Sequence, residues 1–347
     1  MSRNFEVNFI DILTVISAVA VVILHANGIF WSGPQSGVWI SANFIETFFY
    51  YAVPIFFMIS GSTLINYRER YSTKEFLKKR FFRTVIPFIA WSLIGYGIFK
   101  IFGHRVSLQN GLLVSILNAK VVGIYWFFIP LFACYLSIVP LSYVENKKFV
   151  FAYMSIYAFI TISILPVASN FFGISYNHAI DTPISAGYIL YILLGWLLTN
   201  IDIRKKERII IYILGAIGWY LHFYMTIKLT GENGAINGMF KGYVNFPCVL
   251  HSVAIFVFVK YCNFYWINKN CLIRKIVMHV KEASLGIYLI HGFFIYVFVP
   301  KVAKVLSIGN IGTSLWYRTI GALIIVFICI VITKIIKRWK LGRMILG

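Results

Sequence analysis

The chain reads as long apolar runs separated by short polar ones. A bilayer span needs roughly 20 apolar residues. Ten runs qualify for consideration: Phe9–Phe30, Ala42–Ile65, Thr84–Phe102, Val121–Leu141, Phe149–Ala168, Ser185–Ile201, Ile209–Leu229, Val244–Cys262, Ser284–Val305 and Trp316–Ile336. The sixth is the shortest. Polar residues do not alternate with apolar ones inside the runs, which excludes the strands of an outer-membrane barrel. The pattern predicts an all-α polytopic bundle of about ten transmembrane helices. The longest loops hold about 20 residues, so residues 1–347 read as a single membrane domain with no appended soluble domain. The first run is too long for a signal peptide, carries Asp11 and His25, and lacks a small-residue cleavage site after it.

Composition narrows the class. Of 347 residues, 60% are hydrophobic and 12% charged. A soluble domain carries about 25% charged residues, so this chain has too few to cover a water-facing surface. The formal net charge of +21 therefore reads as loop charge and not as a nucleic-acid surface. With the N-terminus cytoplasmic, 24 of the 32 Lys and Arg fall on the cytoplasmic side. The other eight are Lys100, Arg105, Lys120, Lys228, Lys241, Lys301, Lys304 and Arg318. This bias predicts both termini in the cytoplasm. The five cysteines are scattered, with no spacing that suggests a metal.

An ionisable side chain at membrane depth is expensive and by default suggests function. The candidates are Asp11 and His25 in the first run, Glu46 in the second, and His222, His251 and His291 later. On a helix, Asp11, Thr14, Ala18 and His25 share one polar, small-residue face, which predicts that this face points into the bundle. Asp11 and His25 lie about 21 Å apart along such a helix and cannot pair. Glu46 enters the second run at a depth similar to that of His25, so it is the expected carboxylate partner that would hold the imidazole tautomer and raise its basicity. The loop Asn66–Arg83 carries seven Lys or Arg among 18 residues. It serves as a positive-inside anchor and, with Arg80 and Arg83 on one helix face, as a possible phosphate grip. His222 and His251 are read as structural.

Five segments carry a resemblance. They are FIDILTVISAVAVVILH ending at His25, VPIFFMISG (Val53–Gly61), KKRFFRTVIP (Lys78–Pro87), IYWFFIPLFACYLSIVPL (Ile124–Leu141) and ASLGIYLIHGF (Ala283–Phe293). In this order they resemble the acyltransferase-3 family of integral membrane acyltransferases, in particular its stand-alone branch that acetylates surface polysaccharides. The family's Arg, separated from the His by ten residues, falls at Thr14, which carries no charge. The resemblance implies a bacterial cytoplasmic-membrane O-acetyltransferase. Its donor would be cytoplasmic acetyl-CoA, and its acceptor a hydroxyl of a glycan or lipid-linked glycan. It also implies roles: His25 as base or transient acetyl carrier, Glu46 as its partner, and His291, deeper toward the cytoplasm, at the thioester end. Arg80, Arg83 and Lys79, with Lys78, would bind the phosphates. Ser60, Asn27 and Tyr125 are candidate oxyanion donors, and no metal or nucleic acid is expected. Two other classes suit a basic-faced helical bundle: a lipid-linked sugar flippase and an inactive scaffold with this fold.

Overall fold

The structure, a computed structural model, describes residues 6–106, 108, 110–181, 187–231 and 235–347. Arg3, counted as a cytoplasmic cation, and Ser185, which opens the sixth run, lie outside the described residues. Among the described residues every regular element is helical. The chain is a multi-pass membrane protein: eight helical stretches are long and apolar enough to cross a bilayer.

The first helix, α1 (Phe9–Ala26), begins at a reciprocal cap. Asn8 Oδ1 accepts from the Asp11 backbone N–H at 3.2 Å, and the Asp11 carboxylate accepts from that of Asn8 at 3.1 Å. Asp11 also pairs with Lys281 at 2.6 Å, so the first acid of the polar stripe is structural. The second run forms α2 (Trp39–Phe49) and α3 (Ala52–Leu64), interrupted at Tyr50 and Tyr51. Pro54 causes the break: it offers no N–H to the Tyr50 carbonyl and its ring crowds that oxygen.

The next elements are α4 (Thr73–Arg80), α5 (Ile86–Ile101), α6 (Leu112–Leu117) and α7 (Phe128–Ser142). They are followed by α8 (Lys147–Ala158), α9 (Leu165–Phe171), α10 (Ile189–Asn200), α11 (Lys205–Leu229) and α12 (Phe246–Lys260). The chain continues through α13 (Tyr265–Lys269), α14 (Cys271–Phe293), α15 (Val299–Val305), α16 (Ala322–Ile336) and α17 (Lys340–Ile345). Four wider π-helical turns interrupt the rods, at Phe81–Val85, Phe159–Ile164, Phe294–Phe298 and Tyr317–Gly321. The first three stand just ahead of Pro87, Pro166 and Pro300. Each proline leaves the carbonyl four residues earlier without its N–H, and the wider turn accommodates that carbonyl.

The sixth and eighth runs correspond to α10 and α12, of only 12 and 15 residues. Each helix alone covers only part of a hydrocarbon core of about 30 Å at 1.5 Å per residue. Protein surrounds much of α10: Leu190, Tyr191, Ile192 and Leu193 are fully buried. Small residues let α10 lie close on α3. A Cβ on Gly61 would strike the Ile192 carbonyl, and one on Gly195 the Met58 carbonyl. Ser62 Oγ bridges the pair by donating to the Gly195 carbonyl at 2.9 Å. Helix α1 is central, touching α2, α3, α12, α14 and α16.

Candidate active site

A cavity of about 610 Å³ follows α1 from Thr14 past its C-terminal end. Thr14 and His25, eleven residues apart on one helix, place its length at no less than about 16 Å. Its basic end is walled by Arg80, Arg83 and Thr84 from α4 and the π turn behind it, with Ser284 from α14 opposite. Its far end is walled by Trp31, Glu46, Tyr50, Trp126 and Tyr243. His25 lies between the two.

At the basic end, the Arg80 guanidinium carbon sits 5.7 Å from the Tyr135 ring centre, and Arg80 Nε is buried without a hydrogen-bond partner. Among the described residues neither Arg80 nor Arg83 is in an ion pair, so both charges are available to an anion. Lys79 is not on the cavity. It points to the outer face of α4, pairing with Glu75 at 2.7 Å and lying 3.9 Å over the Tyr71 ring, because one step along a helix turns it about 100° from Arg80. Lys78 does not line the cavity either; it lines a neighbouring apolar groove that shares Arg80, Thr84 and Tyr135 with it. Thr14 lines the cavity, and its hydroxyl donates to the Ile10 carbonyl at 2.8 Å.

His25 does not pair with Glu46. Its Nδ1 is 2.9 Å from the hydroxyl of Tyr296, in the π turn after α14. Its other nitrogen is therefore the one left for the cavity. Glu46 is held by Lys241, whose Nζ lies 2.7 Å from Oε1, with both side chains almost fully buried. A buried carboxylate requires a cation, and Lys241 supplies one where a neutral imidazole would not. The ammonium also lies 3.8 Å from the Tyr50 ring centre and 4.8 Å from that of Trp31. Tyr50 stacks on Tyr243 at 4.2 Å, and Tyr243 on Trp126 at 5.6 Å, giving a row of three rings at the far end.

His291 sits behind His25, with ring centres 5.1 Å apart. It is therefore level with His25 and not deeper toward the basic face. The expectation placed it too near the cytoplasmic side because α14 starts at Cys271, well before the apolar run at Ser284. His291 is fully buried, and its Nδ1 is 2.9 Å from the Ile287 carbonyl. A carbonyl only accepts, so Nδ1 carries the hydrogen. Its Nε2 has no partner among the described residues.

Of the oxyanion candidates, two are committed to structure. The Tyr125 hydroxyl donates to the Leu289 carbonyl at 2.6 Å. Asn27 donates to the Ala42 carbonyl at 2.8 Å and accepts from Arg318 at 3.2 Å. Ser60 lines the cavity; its hydroxyl donates to the Phe56 carbonyl at 3.0 Å, so only its lone pairs face the space. His222 and His251 pack against Tyr50 and Tyr51 and do not line the cavity.

The sequence reading missed Tyr296, Lys241 and Arg318. Tyr296 is one of 22 tyrosines and gives no signal of its own. Lys241 and Arg318 were assigned to the far side as loop charges, yet both are buried. The available hint was their isolation, each a single cation amid aromatic residues.

An apolar helical shell thus surrounds a mostly apolar cavity with cations at one end, a histidine within and one carboxylate at the other. The family model for an acyltransferase domain, acyltransferase-3, matches residues 7–334, and the chain belongs to that family. No curated protein and no solved structure matches it.

Proposed function

We propose that the protein is a membrane O-acetyltransferase of the bacterial cytoplasmic membrane. It moves an acetyl group from cytoplasmic acetyl-CoA to a hydroxyl of a surface polysaccharide or its lipid-linked precursor. The observation that carries this reading is the single cavity joining Arg80 and Arg83 to His25 and then to the aromatic far end. By the charge bias, the basic end faces the cytoplasm, where acetyl-CoA is found. Arg80 and Arg83 would hold its phosphates, and guanidinium forks suit that task. They are also the cations left to do so where Thr14 replaces the family's Arg.

The thioester then extends along α1 toward His25, and the acceptor hydroxyl approaches from the other end. The cavity-facing nitrogen of His25 takes the hydroxyl proton as the oxygen attacks the thioester carbonyl. Collapse of the tetrahedral adduct breaks the C–S bond, the thiolate leaves, and the proton passes from His25 to it. Tyr296 fixes the ring through Nδ1, and His291 packs beside it, tilted by 41°.

The test compares host glycans from cells lacking the gene, complemented with wild type, and complemented with His25→Ala at equal membrane abundance. O-acetyl groups, read by mass spectrometry and proton NMR, should vanish without the gene and return with wild type. With His25→Ala they should fall by about 10²-fold or more, the usual worth of a positioned base. Full restoration by His25→Ala would make His25 structural. Unchanged acetylation with reduced glycan export would favour a flippase.

A further inference from the structure

The far end of the cavity has a composition of its own. Three stacked rings, Tyr50, Tyr243 and Trp126, form part of its wall, and Trp31, 64% exposed, stands at its rim. One carboxylate, Glu46, faces it. Lys241 takes Oε1, while Oε2 has no hydrogen-bond partner among the described residues. Lys241 itself is withdrawn: its side chain is 2% exposed, beneath the rings of Phe30, Trp31 and Tyr50. Among the described residues, this end is thus lined by one charge-matched carboxylate and no free cation.

A buried ion pair is costly to build and is weak support for stability. Glu46 and Lys241 require another reason to be there. An aromatic row beside a fixed acceptor oxygen matches a pyranose: its C–H face packs on Trp126 at the end of the row, because Tyr243 lies between its two neighbours and Tyr50 is stacked on Tyr243 with the Lys241 ammonium over its ring, and its hydroxyls donate to the carboxylate. The carboxylate of a sugar acid would find no free cation here to pair with, since Lys241 is already taken by Glu46.

We propose that Glu46, oriented by Lys241, and the Tyr50–Tyr243–Trp126 row form the acceptor subsite, and that the ring bound there is an uncharged pyranose whose reacting hydroxyl is presented to His25. This rests on the transferase reading and adds to it the residues that read the acceptor and the charge of the sugar they accept. Glu46 is then an acceptor-binding residue and not the partner of His25.

The experiment uses the full-length protein with two readouts. One is the O-acetyl content of host glycans, with the acetylated residue identified by mass spectrometry. The other is thermal stabilisation of the purified protein by acetyl-CoA, which reports the opposite end. Glu46→Gln and Trp126→Ala should lower glycan acetylation at least tenfold and leave stabilisation by acetyl-CoA intact. Arg83→Ala should weaken both. Trp126→Phe, which keeps a ring, should recover most of the acetylation lost in Trp126→Ala, separating ring contact from a folding defect. The modified residue in wild type should be a neutral sugar. Full acetylation in Glu46→Gln and Trp126→Ala, loss of both readouts together, or acetyl groups carried by a uronic or sialic acid would each overturn the subsite. A glycan whose acetylation does not depend on the gene at all would instead overturn the transferase reading, and the subsite with it.

Discussion

At the scale of single residues, the site turns on how one imidazole is held. Helix α1 places His25 on the cavity, but a helix fixes only the backbone, and the ring still rotates about its side-chain bonds. Tyr296 limits that rotation through its 2.9 Å contact with Nδ1. The contact is a neutral hydrogen bond, worth about 1 kcal/mol net, so its loss should be felt in rate more than in folding. Tyr296→Phe should lower acetyl transfer by roughly 5–10-fold, in line with 1.4 kcal/mol per factor of ten, with membrane abundance unchanged. Glycan acetyl content measured against protein level checks this. An unaltered rate would mean that the pair of histidines alone orients the ring.

At the scale of elements, Arg318 connects three pieces of chain. From the π turn ahead of α16 its guanidinium donates to Asn27 Oδ1 at the end of α1 at 3.2 Å, to Ser41 Oγ in α2 at 3.0 Å, and to the Thr313 carbonyl at 3.5 Å. No carboxylate pairs with it among the described residues; the carbonyl end of α1 supplies partial negative charge in its place. His25 lies two residues before Asn27 and Glu46 five after Ser41, so one side chain sets both at once. On the proposed reading, Arg318 acts as a positioning residue. Arg318→Met removes a desolvated charge as well as its bonds, so the two effects on stability oppose each other. Acetyl transfer should fall about tenfold, while the apparent melting temperature moves by only about 2–4 °C, the size of a 1 kcal/mol change. Thermal melts beside the acetylation assay decide it, and parallel loss of both would make Arg318 a fold residue only. These ties also show what a sequence conceals. Apolar runs and prolines announce the helices and their breaks, and the expense of polar groups singles out His25. The partners do not stand near each other in the chain: Tyr296 is 271 positions from His25, Lys241 is 195 from Glu46, and Arg318 is 291 from Asn27. Tertiary packing alone brings them together, so Glu46 was legible as a buried acid while its partner was not.

For the whole molecule, the question is whether the two ends of the cavity open on opposite faces of the membrane. The eight strongly apolar stretches fix a bundle that crosses the bilayer, and the Lys and Arg excess orients it. Arg83 and Trp31 both line the cavity, and both are exposed at their own ends. If the cavity joins the two faces, a cysteine at Trp31 should react with a membrane-impermeant maleimide in intact cells, and a cysteine at Arg83 only after the cells are opened. The background must lack Cys271, which is exposed, and Cys262, which is half-buried; Cys134, Cys248 and Cys329 are buried and should stay silent. Acetyl-CoA added to opened cells, at a concentration raised to offset the weaker binding expected without Arg83, should protect the cysteine at position 83 and leave that at position 31 reactive, because the donor enters from one end only. Labelling of both positions from the same side would place donor and acceptor entry on one face, and the transfer would then not cross the membrane.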